Sequence, residues 1–179
     1  MGTPQWVAGK FGGALELDGK SWVDFGNPPQ TLMTGTMPLA IALWVHPSNL
    51  GTILAQSGHD RAFLWRNYDW AFKASGPYLR FTTPGVLDYN GLNSVLKLNE
   101  WQHVAVVFQP GVGVQGLAVF YLNAVETDRV FSTTTANGGY HATAPTVAAS
   151  TVTGGHVALG NNQWSTAAAN QAFFGLFDD

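Results

Sequence analysis

Cysteine is absent from the 179 residues, so neither a disulfide framework nor a thiolate metal site is available and the fold must rest on its core alone. Charge is scarce as well. Asp, Glu, Lys and Arg make up 11% of the chain against roughly 25% in an average globular protein, so the surface must be built from Thr, Ser, Asn, Gln and Gly. The net charge of −3 is too small, and of the wrong sign, to hold phosphate backbones by counterion release, which excludes nucleic acid as a partner. No apolar run approaches the roughly 18 residues of a membrane-spanning helix, and the opening segment lacks the basic-then-apolar layout of a signal peptide. Helical periodicity is nearly missing, Ser165 to Gln171 being the one stretch that could turn helical.

Short runs of β-branched and aromatic residues are present instead, separated by Gly, Pro, Asn and Asp at regular spacing. The length suits one domain over residues 1–179, able to bury about 70% of the surface its unfolded form exposes. Strands are expected at Ala14 to Asp18, Trp22 to Phe25, Ala40 to Val45, Thr52 to Gln56, Ala62 to Trp65, Trp70 to Lys73 and Leu79 to Thr82. Further strands are expected at His103 to Gln109, Leu117 to Leu122, His156 to Leu159 and Phe173 to Phe177. This is an all-β pattern of a two-sheet antiparallel sandwich or a barrel. Asp18-Gly19 reads as a hairpin turn, while Asn27-Pro28-Pro29 withholds ladder donors.

Two strands are apolar on both faces. Ile41, Leu43 and Val45 point one way and Ala42 and Trp44 the other; Val104, Val106 and Phe108 alternate with Ala105 and Val107. One face meets the core, so the second calls for a loop, a ligand or another subunit. From Val130 to Phe177 there is no Asp, Glu, Lys or Arg. That stretch reads either as a long ordered loop followed by strands or as a surface kept uncharged to pack against neighbours.

Several motifs then line up in order. They are Gly9-Lys10-Phe11-Gly12-Gly13-Ala14-Leu15-Glu16-Leu17-Asp18-Gly19, Ala40-Ile41-Ala42-Leu43-Trp44-Val45-His46-Pro47, and Glu100-Trp101-Gln102-His103-Val104-Ala105 leading to Val119-Phe120-Tyr121-Leu122-Asn123. The last is Val157-Ala158-Leu159-Gly160 followed by Phe173-Phe174-Gly175-Leu176-Phe177-Asp178-Asp179. Together they resemble the laminin G-like branch of the concanavalin A-like lectin/glucanase superfamily. The resemblance implies a jelly-roll sandwich. It also implies a strand before Gly2 to Pro4 and another after Asp178-Asp179, pairing with each other; without them an open sheet edge is expected, suited to a homo-oligomer or filament. Ala124 stands where relatives carry Gly after Asn123, which argues for a looser or bulged turn. The resemblance further implies one structural calcium, with Asp18 and Asp178 or Asp179 as hard oxygen ligands.

Glucanases need two carboxylates across a glycosidic bond, and the nearest match, Glu126-Thr127-Asp128, is isolated. No Gly-x-Ser-x-Gly elbow exists, and the His residues lack metal-ligand spacing, so no enzymatic activity is expected. Sugar recognition needs an aromatic platform flanked by polar groups. The densest such cluster is His59, Asp60, Arg61, Trp65, Arg66, Tyr68, Asp69 and Trp70, with Tyr78 and Arg80 following; a second patch is Asn161-Asn162-Gln163-Trp164. Arg66, Tyr68, Asp69, Trp70, Asn161, Asn162 and Trp164 are the candidate ligand-binding residues, although Trp65, Trp70 and Phe72 also read as core. Trp65 and Arg66 fall on opposite faces of a strand. The expectation is a non-catalytic recognition or adhesion module, extracellular or on a virion or cell surface, with glycan as ligand. A self-assembling structural protein completed by neighbouring chains is the alternative, and a glucanase-like enzyme the third.

Overall fold

The computed structural model describes residues 3–28, 37–51, 60–66, 69–83, 87–110, 116–131, 155–161 and 171–178. Among them run thirteen strands: β1 (Gln5–Ala8), β2 (Gly13–Asp18), β3 (Val23–Asp24), β4 (Leu39–Asn49), β5 (Arg61–Arg66), β6 (Trp70–Ser75), β7 (Tyr78–Thr83), β8 (Leu87–Val95), β9 (Gln102–Gln109), β10 (Leu117–Leu122), β11 (Val125–Phe131), β12 (Val157–Leu159) and β13 (Phe174–Asp178). They form a seven-stranded sheet, β1-β2-β13-β4-β9-β10-β11, and a six-stranded sheet, β3-β12-β5-β6-β7-β8. The expected all-β two-sheet sandwich is what forms. The strand expected at Thr52 to Gln56 and nearly all of the possible helix at Ser165 to Gln171 lie outside the described residues.

Alternation sets the core. On β9, Gln102, Val104, Val106 and Phe108 are buried in turn, as a period of two requires when one face is covered. Phe108 meets Phe81 of the facing sheet at 4.5 Å between ring centroids, and Phe173 meets Phe177 at 4.2 Å. The other face of β4 and β9 is open: Ala40 and Ala42 are exposed, and Ala105 and Val107 only half-buried. Trp44 gains cover there from the Phe11 ring at 5.5 Å, the His103 ring at 5.3 Å and the Lys10 ammonium at 4.4 Å.

The sandwich closes differently along its two sides. On the β8–β11 side, Asp128 accepts from Asn93 N at 3.1 Å and from the Ser94 hydroxyl at 2.7 Å, joining one sheet to the other. On the β1–β3 side an apolar cleft of about 650 Å³ remains, with Trp6, Leu15, Leu43 and Phe177 from one sheet facing Val23 and Phe25 from the other. Its floor adjoins a backbone notch. β13 pairs with β4 only from Trp44 to Asn49, so among the described residues Leu39 to Leu43 pair on one side alone, with β9.

The turn at Asn123-Ala124 corrects an expectation. Leu122 pairs directly with Val125, and Asn123 and Ala124 take φ of 51° and 65°. This is a tight two-residue hairpin turn of the kind that fits strand twist, formed in spite of the alanine. The irregularity falls between Phe120 and Tyr121 instead.

Candidate functional site

Every residue of β6 is buried on both faces. Trp70, Phe72 and Ala74 face the core, so Ala71 and Lys73 lie on the outer face of the six-stranded sheet. Strand register brings polar partners alongside: Ala62, Lys73, Arg80 and Asn90 stand opposite one another across β5 to β8, and Ala158, Trp65, Ala71, Thr82 and Asp88 form the next row across β12 to β8. The hydrogen bond from Gly160 N to Phe63 O at 2.9 Å holds the chain just before Asn161 against β5.

Asp60, 2% exposed, organises this face. Its Oδ2 accepts from Lys73 Nζ at 2.8 Å and from Arg80 Nη1 at 3.1 Å. Arg80 Nη1 also lies 3.4 Å from Asp88 Oδ2, and Arg80 Nε donates to Asn90 Oδ1 at 2.6 Å. Thr82 donates to Asp88 Oδ1 at 2.6 Å. The Lys73 ammonium sits 5.4 Å from the centre of the Trp65 ring. Beside the network, burial lowers the Arg61 guanidinium from its usual range while Asp60 opposes the shift. Arg61 Nε donates to Asn49 Oδ1 at 3.0 Å.

Four buried polar atoms among the described residues find no hydrogen-bond partner: Trp65 Nε1, a donor, and Asp60 Oδ1 on this face, with Asn161 Oδ1 and Gln171 Oε1 elsewhere in the chain. Each such atom costs about 1–3 kcal/mol unless something restores its bond. A donor and an acceptor on one face are what a ligand rich in hydroxyl groups satisfies, because each hydroxyl both gives and accepts.

The candidate ligand residues of the sequence divide. Asn161 is buried with an orphaned side-chain oxygen. Arg66 and Asp69 form a buried ion pair at 3.5 Å, tied by Asp69 N donating to Arg66 O, and Arg66 leaves the opposite face of β5 from Trp65, as alternation requires. Trp70 must be corrected. It is fully buried and stacks on Phe81 at 6.3 Å, so it has no face for a sugar; an aromatic next to polar residues in sequence belongs to the core when its register faces inward. Tyr68, Asn162 and Trp164 lie outside the described residues. Lys73, Thr82, Asp88 and Asn90 were missed, and a lysine alternating with Trp70 and Phe72 was the one available signal.

The carboxylates that the resemblance offers for calcium do not fit one ion. Asp18 pairs with Phe174 and Asp178 with Trp44, which separates the two along β13 by four residues, about 13 Å at ~3.3 Å each. Asp18 Oδ1 accepts from Lys20 N at 2.9 Å and Ser21 Oγ at 2.8 Å; these bonds, the Lys20 amide first, hold its carboxyl below the usual range. Asp178 Oδ2 accepts from Lys10 N at 2.8 Å and Phe11 N at 2.9 Å. Asp179 is outside the described residues, among which no three His, Asp or Glu side chains gather as a metal site. Glu126 and Asp128 are also separated. Glu126 stands opposite Tyr121 and Asp128 opposite Phe120, so the two project to opposite faces and cannot flank one glycosidic bond.

A two-sheet antiparallel sandwich with a buried polar network on one outer face defines a lectin-like class of fold. The chain belongs to the concanavalin A-like lectin/glucanases superfamily, whose laminin G family model matches residues 17–179. It is similar in structure to domain 4 of AbnA, a GH43 extracellular arabinanase from Geobacillus stearothermophilus, solved in complex with arabinotriose: 21% identity, TM-score 0.60, covering 99% of this chain and 73% of that one. It is also similar to the binding domain of Paraclostridial Mosquitocidal Protein 1, at 13% identity and TM-score 0.57, covering 98% of this chain and 41% of that one. At these identities the likeness is one of fold. No curated protein matches the sequence.

Proposed function

We propose that the chain is a non-catalytic glycan-binding module, working outside the cell or on a surface, and that the sugar engages the outer face of the six-stranded sheet. The observation that carries this is the orphaned pair: Trp65 Nε1 and Asp60 Oδ1 are buried in or beside a fixed Lys73–Asp60–Arg80 network and lack partners. A network already locked by ion pairs holds these atoms in place, so a ligand's hydroxyls pay little ordering cost on meeting them. The arabinanase domain that shares the fold was solved with a bound trisaccharide, which supports the ligand class. The separation of Glu126 from Asp128 favours binding over hydrolysis.

The test is calorimetric titration of the parent with arabinotriose, xylotriose and maltotriose, backed by a glycan array. Trp65→Phe deletes the indole donor together with the five-membered ring, so it should weaken binding at least tenfold, the value of one hydrogen bond of ~1.4 kcal/mol. A parent that binds no sugar overturns the reading.

The cleft beside β4 favours a second reading, self-assembly as a structural component of a virion or surface layer. An extended strand antiparallel to Leu39–Leu43 would satisfy the unpaired backbone edge and fill the apolar cleft with alternate side chains. Light scattering that finds a stable monomer at high concentration excludes it.

A further inference from the structure

We infer that the apolar cleft accepts the amino-terminal segment of a different protein as an extended strand, laid antiparallel to β4 and in line with β13. This role needs neither a sugar nor a second copy of the chain. β13 lies between β2 and β4 in the seven-stranded sheet, with Phe177 opposite Leu15 and Asp178 opposite Trp44. Beyond Asp178 the cleft is lined on one side by Gly13 and Leu15 of β2 and on the other by Ala42 and Leu43 of β4. Two strands that flank a third stand two spacings of ~4.8 Å apart, so the opening at the end of β13 is one strand wide. Leu43 packs inward against the core while Ala42 is exposed on the outer face, which makes the opening a slot in the sheet. Among the described residues Ala42 and Leu43 pair only with β9. An extended backbone spans the slot and meets those ladder groups; an acyl chain would leave them unpaired.

Direction and register follow from the closed end. The slot stops at Asp178, so the occupant begins there. A segment running the same way as β13 places its α-ammonium beside that carboxylate, whereas the reverse direction would bring a second carboxylate to it. Its first, third and fifth residues then oppose Leu43, Ile41 and Leu39 and point inward, while its second and fourth oppose Ala42 and Ala40 and point outward. The inward positions must be apolar. Trp6, on the inner row with Leu15 and Phe177, and Phe25 from the facing sheet are left 77% and 59% exposed at the cleft. Among the described residues no Lys, Arg or His lines it, and its one acidic residue is Asp178, whose Oδ2 is held by the Lys10 and Phe11 amides. The side chains that enter are therefore uncharged as well as apolar, since a charge would lose its water and find no partner there.

The experiment titrates the parent protein with the amidated peptide Leu-Thr-Val-Thr-Leu-Thr and with Thr-Leu-Thr-Val-Thr-Leu, equal in composition but opposite in phase. Expected is one bound in-phase peptide per chain, with tryptophan emission moving to shorter wavelength as Trp6 is covered. The out-of-phase peptide cannot slide past Asp178 and should bind roughly tenfold more weakly, having lost the burial of an apolar side chain. Acetylating the in-phase peptide should weaken it roughly threefold, the scale of one exposed charge pair. Phe25→Lys, at an exposed position, should weaken it roughly tenfold by setting a charge in the cleft. Trp6→Phe should keep the binding and lose the emission shift. No binding of the in-phase peptide, or equal binding of the two phases, overturns the inference, and an acetylated peptide that binds as tightly overturns the amino-terminal placement. Assembly of the parent that the peptide disperses, read by light scattering, would make a second copy the occupant and overturn the choice of a different protein. Sugar titration of the same preparation reads the glycan site separately.

Discussion

Ser94 of β8 donates its hydroxyl proton to Asp128 of β11 at 2.7 Å, a bond from one sheet of the sandwich to the other. The same carboxylate accepts the Asn93 side-chain amide at 2.9 Å, and Thr127 sits within hydrogen-bond reach of the Ser94 hydroxyl. One side of the sandwich is thus closed by a polar clasp, whereas the other gapes over apolar side chains. The clasp leaves Ser94, which is fully buried, dependent on its partner across the gap.

Asp128→Ala should therefore destabilise the fold by about 3 kcal/mol, since hydrogen bonds to a charged group contribute roughly 1.5–3 kcal/mol each and a buried hydroxyl loses its acceptor. Urea unfolding measures it. Glu126→Ala, which removes an exposed ion pair two residues away, should cost under about 0.5 kcal/mol. Equal costs for the two would refute the clasp.

Ala124 adopts φ of 65°, a left-handed conformation that costs a residue with a Cβ about 1–2 kcal/mol. Ala124→Gly should raise stability by about 1 kcal/mol, with the unfolding midpoint shifting at constant m-value. A loss of stability would mean that the turn is not strained.

Burial pushes the Tyr89 phenol up from 10.0 to about 12. A group whose folded value is raised contributes stability in full below its unfolded value and loses it as pH climbs through the folded one. Stability should hold to about pH 10 and fall between pH 10 and 12, and Tyr89→Phe should flatten that fall. Tyrosinate absorbance during an alkaline titration, run beside the unfolding free energy, checks both.

Asp18 moves in the other direction. Its carboxyl, held low by the Lys20 amide and then by Ser21, contributes stability above its unfolded value of 3.8 and loses it as pH falls through the lower folded value. Because this carboxylate caps a turn and lies far from Asp178, a chelator should leave the melting temperature unchanged. A fall in melting temperature on adding EDTA, restored by calcium, would contradict that assignment.

Particular strands show how much of this was legible in the sequence. β9 read clearly, since Val104, Val106 and Phe108 repeat every second residue against one core. β8 did not, because Asp88, Asn90 and Gly91 interrupt any apolar rhythm; it is held by pairing with β7 along Tyr78–Thr83 and by the Asp128 clasp. β1 and β11 are edge strands whose side chains are mostly exposed, so no burial pattern marks them. The aromatic cluster around Trp65 was visible as composition. Which of its members face outward was not, and Trp70 turned inward.

The sequence by itself determined the class of fold, a surface poor in charge and the absence of any cysteine chemistry, because alternation and composition are local properties that every strand carries with it. Only the tertiary structure decided the site. Asp60, Lys73, Arg80 and Asn90 belong to separate strands or the loop before them, and what makes them one network is cross-strand register, which shifts every side chain to the other face if it slips by a single residue. That register is set by the packing of Phe63, Phe72, Phe81 and Tyr89 on the buried side, so the core chooses which polar groups meet outside it.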